Sequence, residues 1–105
     1  MDKRTIISIS QKYLNIVSRK YDIEKAFLFG SFAKRKNNED SDIDIALVFR
    51  NLDDFFKIQF ELMRIRRKID LRIEPHLFSK DEFNKNNPLA NEIIKTGIEL
   101  KNTSS

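Results

Sequence analysis

A chain of 105 residues has room for one compact domain, because a second core would leave each half too little buried apolar surface to offset chain entropy. Apolar residues make up 40% and charged residues 34%, with nine Phe and no Cys, so a core can form but no disulfide framework or thiolate metal site can. The net charge of +4 suits a polyanionic ligand, while the absence of any apolar run near the roughly 20 residues of a membrane span, or of a signal segment after Met1 to Arg4, leads us to expect a cytoplasmic protein.

Ile6, Ile9, Tyr13 and Ile16 recur at helical steps, joined by Ile7, Leu14 and Val17, and predict an amphipathic first helix. Lys25 to Phe29 is a short apolar strand, ended by Gly30-Ser31, which opens a short helical turn. Lys36 to Asp40 is polar enough to be a loop. Ser41 to Phe49 is β-branched and apolar apart from two aspartates and predicts a second strand. Asp53 or Asp54 can cap a helix in which Phe55, Ile58, Leu62, Ile65 and Ile69 keep helical spacing, with Phe56, Phe60 and Met63 widening its apolar face.

Ile69 to Ile73 alternates and predicts a third strand closed by Pro75. Ser79 and Glu82 form a capping box, with Phe78 and Phe83 at the positions of a hydrophobic staple, so a short helix is expected from Lys80. A last helix, Leu89 to Thr96, should stop at Gly97 in a left-handed conformation, with Ile98 folded back on its final turn. Residues 1–101 are read as one domain and 102–105 as a frayed polar tail.

Chemistry concentrates in two places. Asp42 and Asp44 lie two apart in the second strand and so point to one side, with α-carbons roughly 6.6 Å apart. Ala46 and Val48 continue their face, and Ile43, Ile45, Leu47 and Phe49 form the other. Like charges side by side on a covered strand are costly unless a cation compensates, and hard oxygen donors suit magnesium or manganese. A solvated strand end beside the basic residues Lys34, Arg35 and Lys36 explains the pair equally well. Gly30-Ser31 lets the backbone approach a phosphate at a helix N-terminus, although a plain serine-capped turn looks the same. The segment from Gly30 to Ser41 is long enough to return as a neighbouring strand and bring the two together.

Together, Gly30-Ser31-Phe32-Ala33-Lys34 and Ser41-Asp42-Ile43-Asp44-Ile45 resemble the signature of the nucleotidyltransferases of the DNA polymerase beta superfamily, especially the minimal stand-alone ones. Arg35 departs from the glycine that the family often places after the basic residue. The resemblance implies an α+β fold, a small mixed sheet flanked by helices, and a third carboxylate on a neighbouring strand. Asp70 and Glu74 are the candidates, assigned to one face of the third strand, and Glu74 is preferred because Ile73-Glu74-Pro75-His76 resembles a segment of small members; Asp70 could instead pair with Arg72 or Arg66. It further implies two Mg²⁺ ions, or Mn²⁺, held by Asp42, Asp44 and Glu74, and a nucleotide site at Gly30, Ser31, Lys34 and Ser41. His76, taken to lie in a loop after the third strand, reads as structural or solvated.

Larger members carry an added acceptor-binding domain, whereas minimal ones resemble the antitoxin of a pair with a small helical HEPN-type protein. The expected function is therefore transfer of AMP from ATP to a hydroxyl of such a partner, with pyrophosphate released. The alternatives are transfer to a small molecule such as an aminoglycoside, which would require a homo-oligomer to build the acceptor pocket, and a non-catalytic module that masks its partner. Nucleic acid and membrane are not expected partners.

Overall fold

The computed structural model describes residues 2–31 and 41–101. Along the chain the elements are α1 (Lys3–Ser18), β1 (Ile23–Phe29), β2 (Ile43–Phe49), α2 (Phe55–Arg66), β3 (Ile73–Ser79), α3 (Pro88–Thr96) and β4 (Ile98–Glu99). The strands form one mixed sheet in the order β3-β2-β1-β4, in which β1 is antiparallel to β2 and β4, and β2 is parallel to β3. The α+β class expected from the sequence is the one observed.

Strand alternation divides the core between the two faces of the sheet. Ile43, Ile45, Leu47 and Phe49 point to one side and pack with Ile6, Tyr13, Leu14 and Val17 of α1 and Ile58, Leu62 and Ile65 of α2. On the other side Ala46 and Val48 join Phe27, Phe78 and Ile93, the last from α3. Both faces of β2 are thus covered, so a carboxylate on it needs a partner. Tyr13 is fully buried, and its hydroxyl donates to the Leu62 carbonyl at 2.8 Å, tying α1 to α2.

Capping chemistry sets the helix ends. Asp2, Asp54 and Asn87 each accept from backbone amides of the first turn of α1, α2 and α3, and Pro88 opens α3, where its missing N–H is not needed.

Four expectations are corrected. The third strand is Ile73–Ser79, not Ile69 to Ile73; residues 67–72 form turns that end α2. Ile69 extends the apolar face of α2 onto the core while Leu71 is exposed, so the apparent alternation belongs to a helix exit. Pro75 lies inside β3, opposite Ile45, which is possible because β3 is an edge strand with one side unpaired.

The helix expected from Lys80 is absent. Its capping box nevertheless forms, Ser79 N donating to Glu82 Oε1 at 3.1 Å and Glu82 N to Ser79 Oγ at 3.3 Å, but it closes a single turn that seats Phe83 against Phe78 and Phe27. Phe56 and Phe60 do not widen the buried face of α2; they are 82% and 64% exposed.

Gly97 stops α3 as expected, but with extended dihedrals (φ −78°, ψ 167°) rather than left-handed ones. Glycine is needed there for space: a β-carbon would stand 2.6 Å from the Ile93 carbonyl oxygen and 3.2 Å from that of Leu28. Because both obstacles are backbone, Gly97→Ala is expected to destabilise the fold by about 1–3 kcal/mol, an overpacking cost. A thermal melt checks this, at roughly 4–8 °C per kcal/mol for a domain of this size; an unchanged melting temperature would count against the close packing of α3 on β1.

Candidate active site

β1 and β2 pair antiparallel so that Phe29 faces Asp44, and β2 and β3 pair in parallel so that Asp44 faces Glu74. The glycine that ends β1 therefore lies beside the first carboxylate, and the second lies on the adjoining strand. Gly30 has φ +76°, a left-handed conformation that glycine adopts without strain. A β-carbon on it would stand 2.5 Å from Asp44 Oδ2. The turn and the Asp-x-Asp strand thus meet in atomic contact, although they are separated in sequence.

The remaining residues surround this centre. Asp42 is exposed and lies just before β2, and Ser31 and Ser41 are half-buried on either side of the segment that joins the strands. Lys34, Arg35 and the rest of 32–40 lie outside the described residues, as do Asn102 to Ser105.

His76 belongs to the site more closely than the sequence reading allowed. It lies on β3, opposite Ala46, and residues 74, 76 and 78 share the face that carries Asp44. Its Nε2 is 3.0 Å from Asp44 Oδ1, and its ring stands edge-on to Phe29 with centroids 4.9 Å apart. An ionised carboxylate only accepts, so the imidazole donates. One oxygen of Asp44 is held by His76 while the other faces the Gly30 turn. Period-two spacing from Glu74 was the signal for this, and Pro75 hid it by reading as the end of a strand.

Glu74 Oε2 lies 3.5 Å from Arg66 Nη1, which also donates to the Ile73 carbonyl at 2.9 Å. Among the described residues, Arg66 Nε is buried with no hydrogen-bond partner. Asp70 is not on the third strand. It lies in the turn before it, gripped by Arg72 through Nε–Oδ1 at 3.0 Å and Nη2–Oδ2 at 2.7 Å, with the Arg72 amide also donating to Oδ1. The Arg72 hydrogen bonds hold the Asp70 carboxyl below its ordinary pKa. Among the described residues no three acidic, histidine or cysteine side chains converge tightly enough to hold a metal ion; Asp44 is turned to His76 and Glu74 to Arg66.

A mixed sheet that sets a left-handed Gly-Ser turn against an Asp-x-Asp strand is the framework of a nucleotide-transferring enzyme. The family described as polymerase beta, nucleotidyltransferase, matches residues 11–105. The chain belongs to that family and is a nucleotidyltransferase. Two Methanocaldococcus jannaschii proteins that bear the name protein adenylyltransferase are similar to it. One is 39% identical over 57 residues, which is 54% of this chain and 57% of that protein; the other is 33% identical over 95 residues, 90% of this chain and 88% of that protein.

Solved structures of similar fold include a Sulfolobus solfataricus protein described as a nucleotidyltransferase, with TM-score 0.65, 17% identity, 92% of this chain and 80% of that one covered. Another is a toxin–antitoxin structure with AMP-PNP, with TM-score 0.64 and 22% identity over 89% of this chain and 73% of that one. A variant of the toxin–antitoxin MntA–HpeT superposes with TM-score 0.58 and 21% identity, over 98% of this chain and 75% of that one.

Proposed function

We propose that this chain transfers AMP from ATP to a hydroxyl of a partner protein. The observation that carries this reading is the contact of the left-handed Gly30 turn with Asp44, in register with Glu74, which sets the backbone of the turn beside two carboxylates. The names of the Methanocaldococcus relatives support adenylate and a protein acceptor, and the toxin–antitoxin structures support a partner. A small helical HEPN-type protein is the partner we favour.

Asp42, Asp44 and Glu74 offer only hard oxygen donors, partly open to solvent, and this donor chemistry suits Mg²⁺ or Mn²⁺ once Asp44 turns from His76 and Glu74 from Arg66 toward the ion. When bound there, such an ion would neutralise the phosphate charge that develops during transfer. The acceptor hydroxyl oxygen would attack the α-phosphorus, forming a new P–O bond as the bond to the β-phosphate breaks and pyrophosphate leaves. Glu74 would take the hydroxyl proton on its carboxylate. Gly30 and Ser31 would receive the triphosphate through backbone amides and the Ser31 hydroxyl, with Ser41 and Lys34 assigned to the same anion. His76 would keep Asp44 oriented. The chain would thus act mainly by positioning and charge placement.

The test is incubation with ATP, Mg²⁺ and the protein encoded by the adjacent reading frame, followed by intact-mass analysis of both chains. One added adenylate on the second protein is the expected result. Adenylate on an added aminoglycoside instead would move the assignment to a small-molecule acceptor. Failure to bind Mg²⁺ and ATP in titration calorimetry would leave only the masking reading.

A further inference from the structure

The outward face of α2 combines features that the fold does not use. At 3.6 residues per turn, Phe56, Phe60, Arg64 and Arg67 fall at steps of four, four and three and make one stripe, flanked by Lys57 and Lys68. Phe56 is 82% and Phe60 64% exposed, Phe55 beside them is 43% exposed and stands edge-on to Phe56, and Arg64, Arg67 and Lys68 face solvent. The apolar end lies over the start of the helix and the basic end over its finish. Beside the basic end, a cleft of about 210 Å³ between α1 and α2 is lined by Ile16, Lys20, Glu61, Arg64, Ile65 and Lys68. Three of those six are cations. The acid among them, Glu61, already faces Lys20 and Arg64, and Asp54 at the other end of the helix is occupied as its cap.

Exposed aromatic rings next to arginines are the composition of an interface centre rather than of a solvated face. We infer that this face of α2 docks an amphipathic, acidic helix of the acceptor protein, whose apolar side covers Phe56 and Phe60 and whose carboxylates meet Arg64, Arg67 and Lys68. The inference rests on the protein-acceptor reading and adds the surface that serves it. Charge selects the occupant. A second copy laid in the same direction on this face would bring like cations together, and a nucleic-acid backbone would want cations along the whole stripe, whereas Lys57 alone stands beside the phenylalanines and the other cations gather at the far end.

The first test uses the full chain and two labelled helical peptides, one with apolar and glutamate positions to match the stripe and one with lysine in place of glutamate, read by fluorescence anisotropy. The acidic peptide is expected to bind, more weakly as salt rises, and to lose at least about tenfold in affinity both with Phe56→Asp plus Phe60→Asp and with Arg64→Glu plus Arg67→Glu. Equal binding of the lysine peptide, no binding of the acidic one, or indifference to both variant pairs overturns the proposal. So does a single-stranded oligonucleotide displacing the acidic peptide, or a wild-type dimer that the phenylalanine variants convert to monomer in sedimentation. The second test uses the protein that receives adenylate. The phenylalanine variants should raise KM for that protein about tenfold or more with ATP affinity unchanged. If transfer occurs and that KM does not move, the docking surface fails while the function stands; if the acidic peptide binds and no protein is adenylylated, the reverse holds.

Discussion

Asp42→Asn with Asp44→Asn is expected to abolish nucleotide transfer, slowing it by on the order of 10³-fold or more, and to leave the fold intact. The size of the effect follows from chemistry that is mostly charge placement: two of the three carboxylates lose their charge while every side-chain volume is kept. Stability should change little, within about 0.5 kcal/mol. Asp42 is exposed, and the amide oxygen of an asparagine at 44 can still accept from His76 Nε2, so the 3.0 Å contact has a neutral equivalent. Of the single variants, Asp44→Asn should be the more damaging, because Asp44 stands between the Gly30 turn and Glu74, whereas Asp42 is at the rim. Rates of labelled adenylate transfer, measured beside thermal melts, decide the matter. Transfer at the parental rate by a folded double variant would remove both carboxylates from the site.

The same residues show what a sequence discloses and what it withholds. Asp44 can be placed on one face of β2 because strand periodicity is local, and both faces of that strand are covered; Asp42, expected on the same strand, lies just before it, since β2 begins at Ile43 rather than Ser41. Gly30-Ser31 was legible as a turn at a strand end for the same reason. The errors arise where two local signals compete. Ile69, Leu71 and Ile73 alternate like a strand, but helix exit and turn claim the first two, and the strand begins where the alternation ends. Ser79 and Glu82 carry a helix-start signal that is satisfied by one turn, since nothing after Phe83 offers an apolar face until α3.

Pro75 reads as a terminator in sequence because it cannot donate to a ladder, but on an edge strand that missing N–H can face away from the sheet, and edge position is a property of the whole sheet. That misreading carried His76 out of the site, and it also put Asp70 on β3 when Arg72 holds it in the preceding turn. Pairing across strands is long-range information. Asp44 opposite Glu74, His76 against Asp44 and Gly30 over Oδ2 all depend on registers that no window of sequence contains.

Gly30 permits the most discriminating experiment, because two separate demands fall on it. Its φ of +76° costs an ordinary residue about 1–2 kcal/mol, and the space above it is closed by Asp44, whose Oδ2, Cγ and Cβ would lie 2.5, 3.3 and 3.6 Å from an added β-carbon. Asparagine tolerates the left-handed region far better than alanine but brings the same β-carbon. Gly30→Ala should therefore lower both stability and transfer, whereas Gly30→Asn should recover much of the stability and none of the transfer. The expected loss is on the order of 10²-fold for either variant, the cost of a misplacement of about 1 Å in a positioned site. The carboxylate is what yields to the β-carbon, since His76 retains Oδ1 while Oδ2 is the oxygen displaced. Calorimetric titration with ATP and Mg²⁺ should show the weakening directly. Recovery of transfer together with stability in Gly30→Asn would mean that the turn matters only for its backbone conformation, and the contact between glycine and carboxylate would lose its place in the reaction.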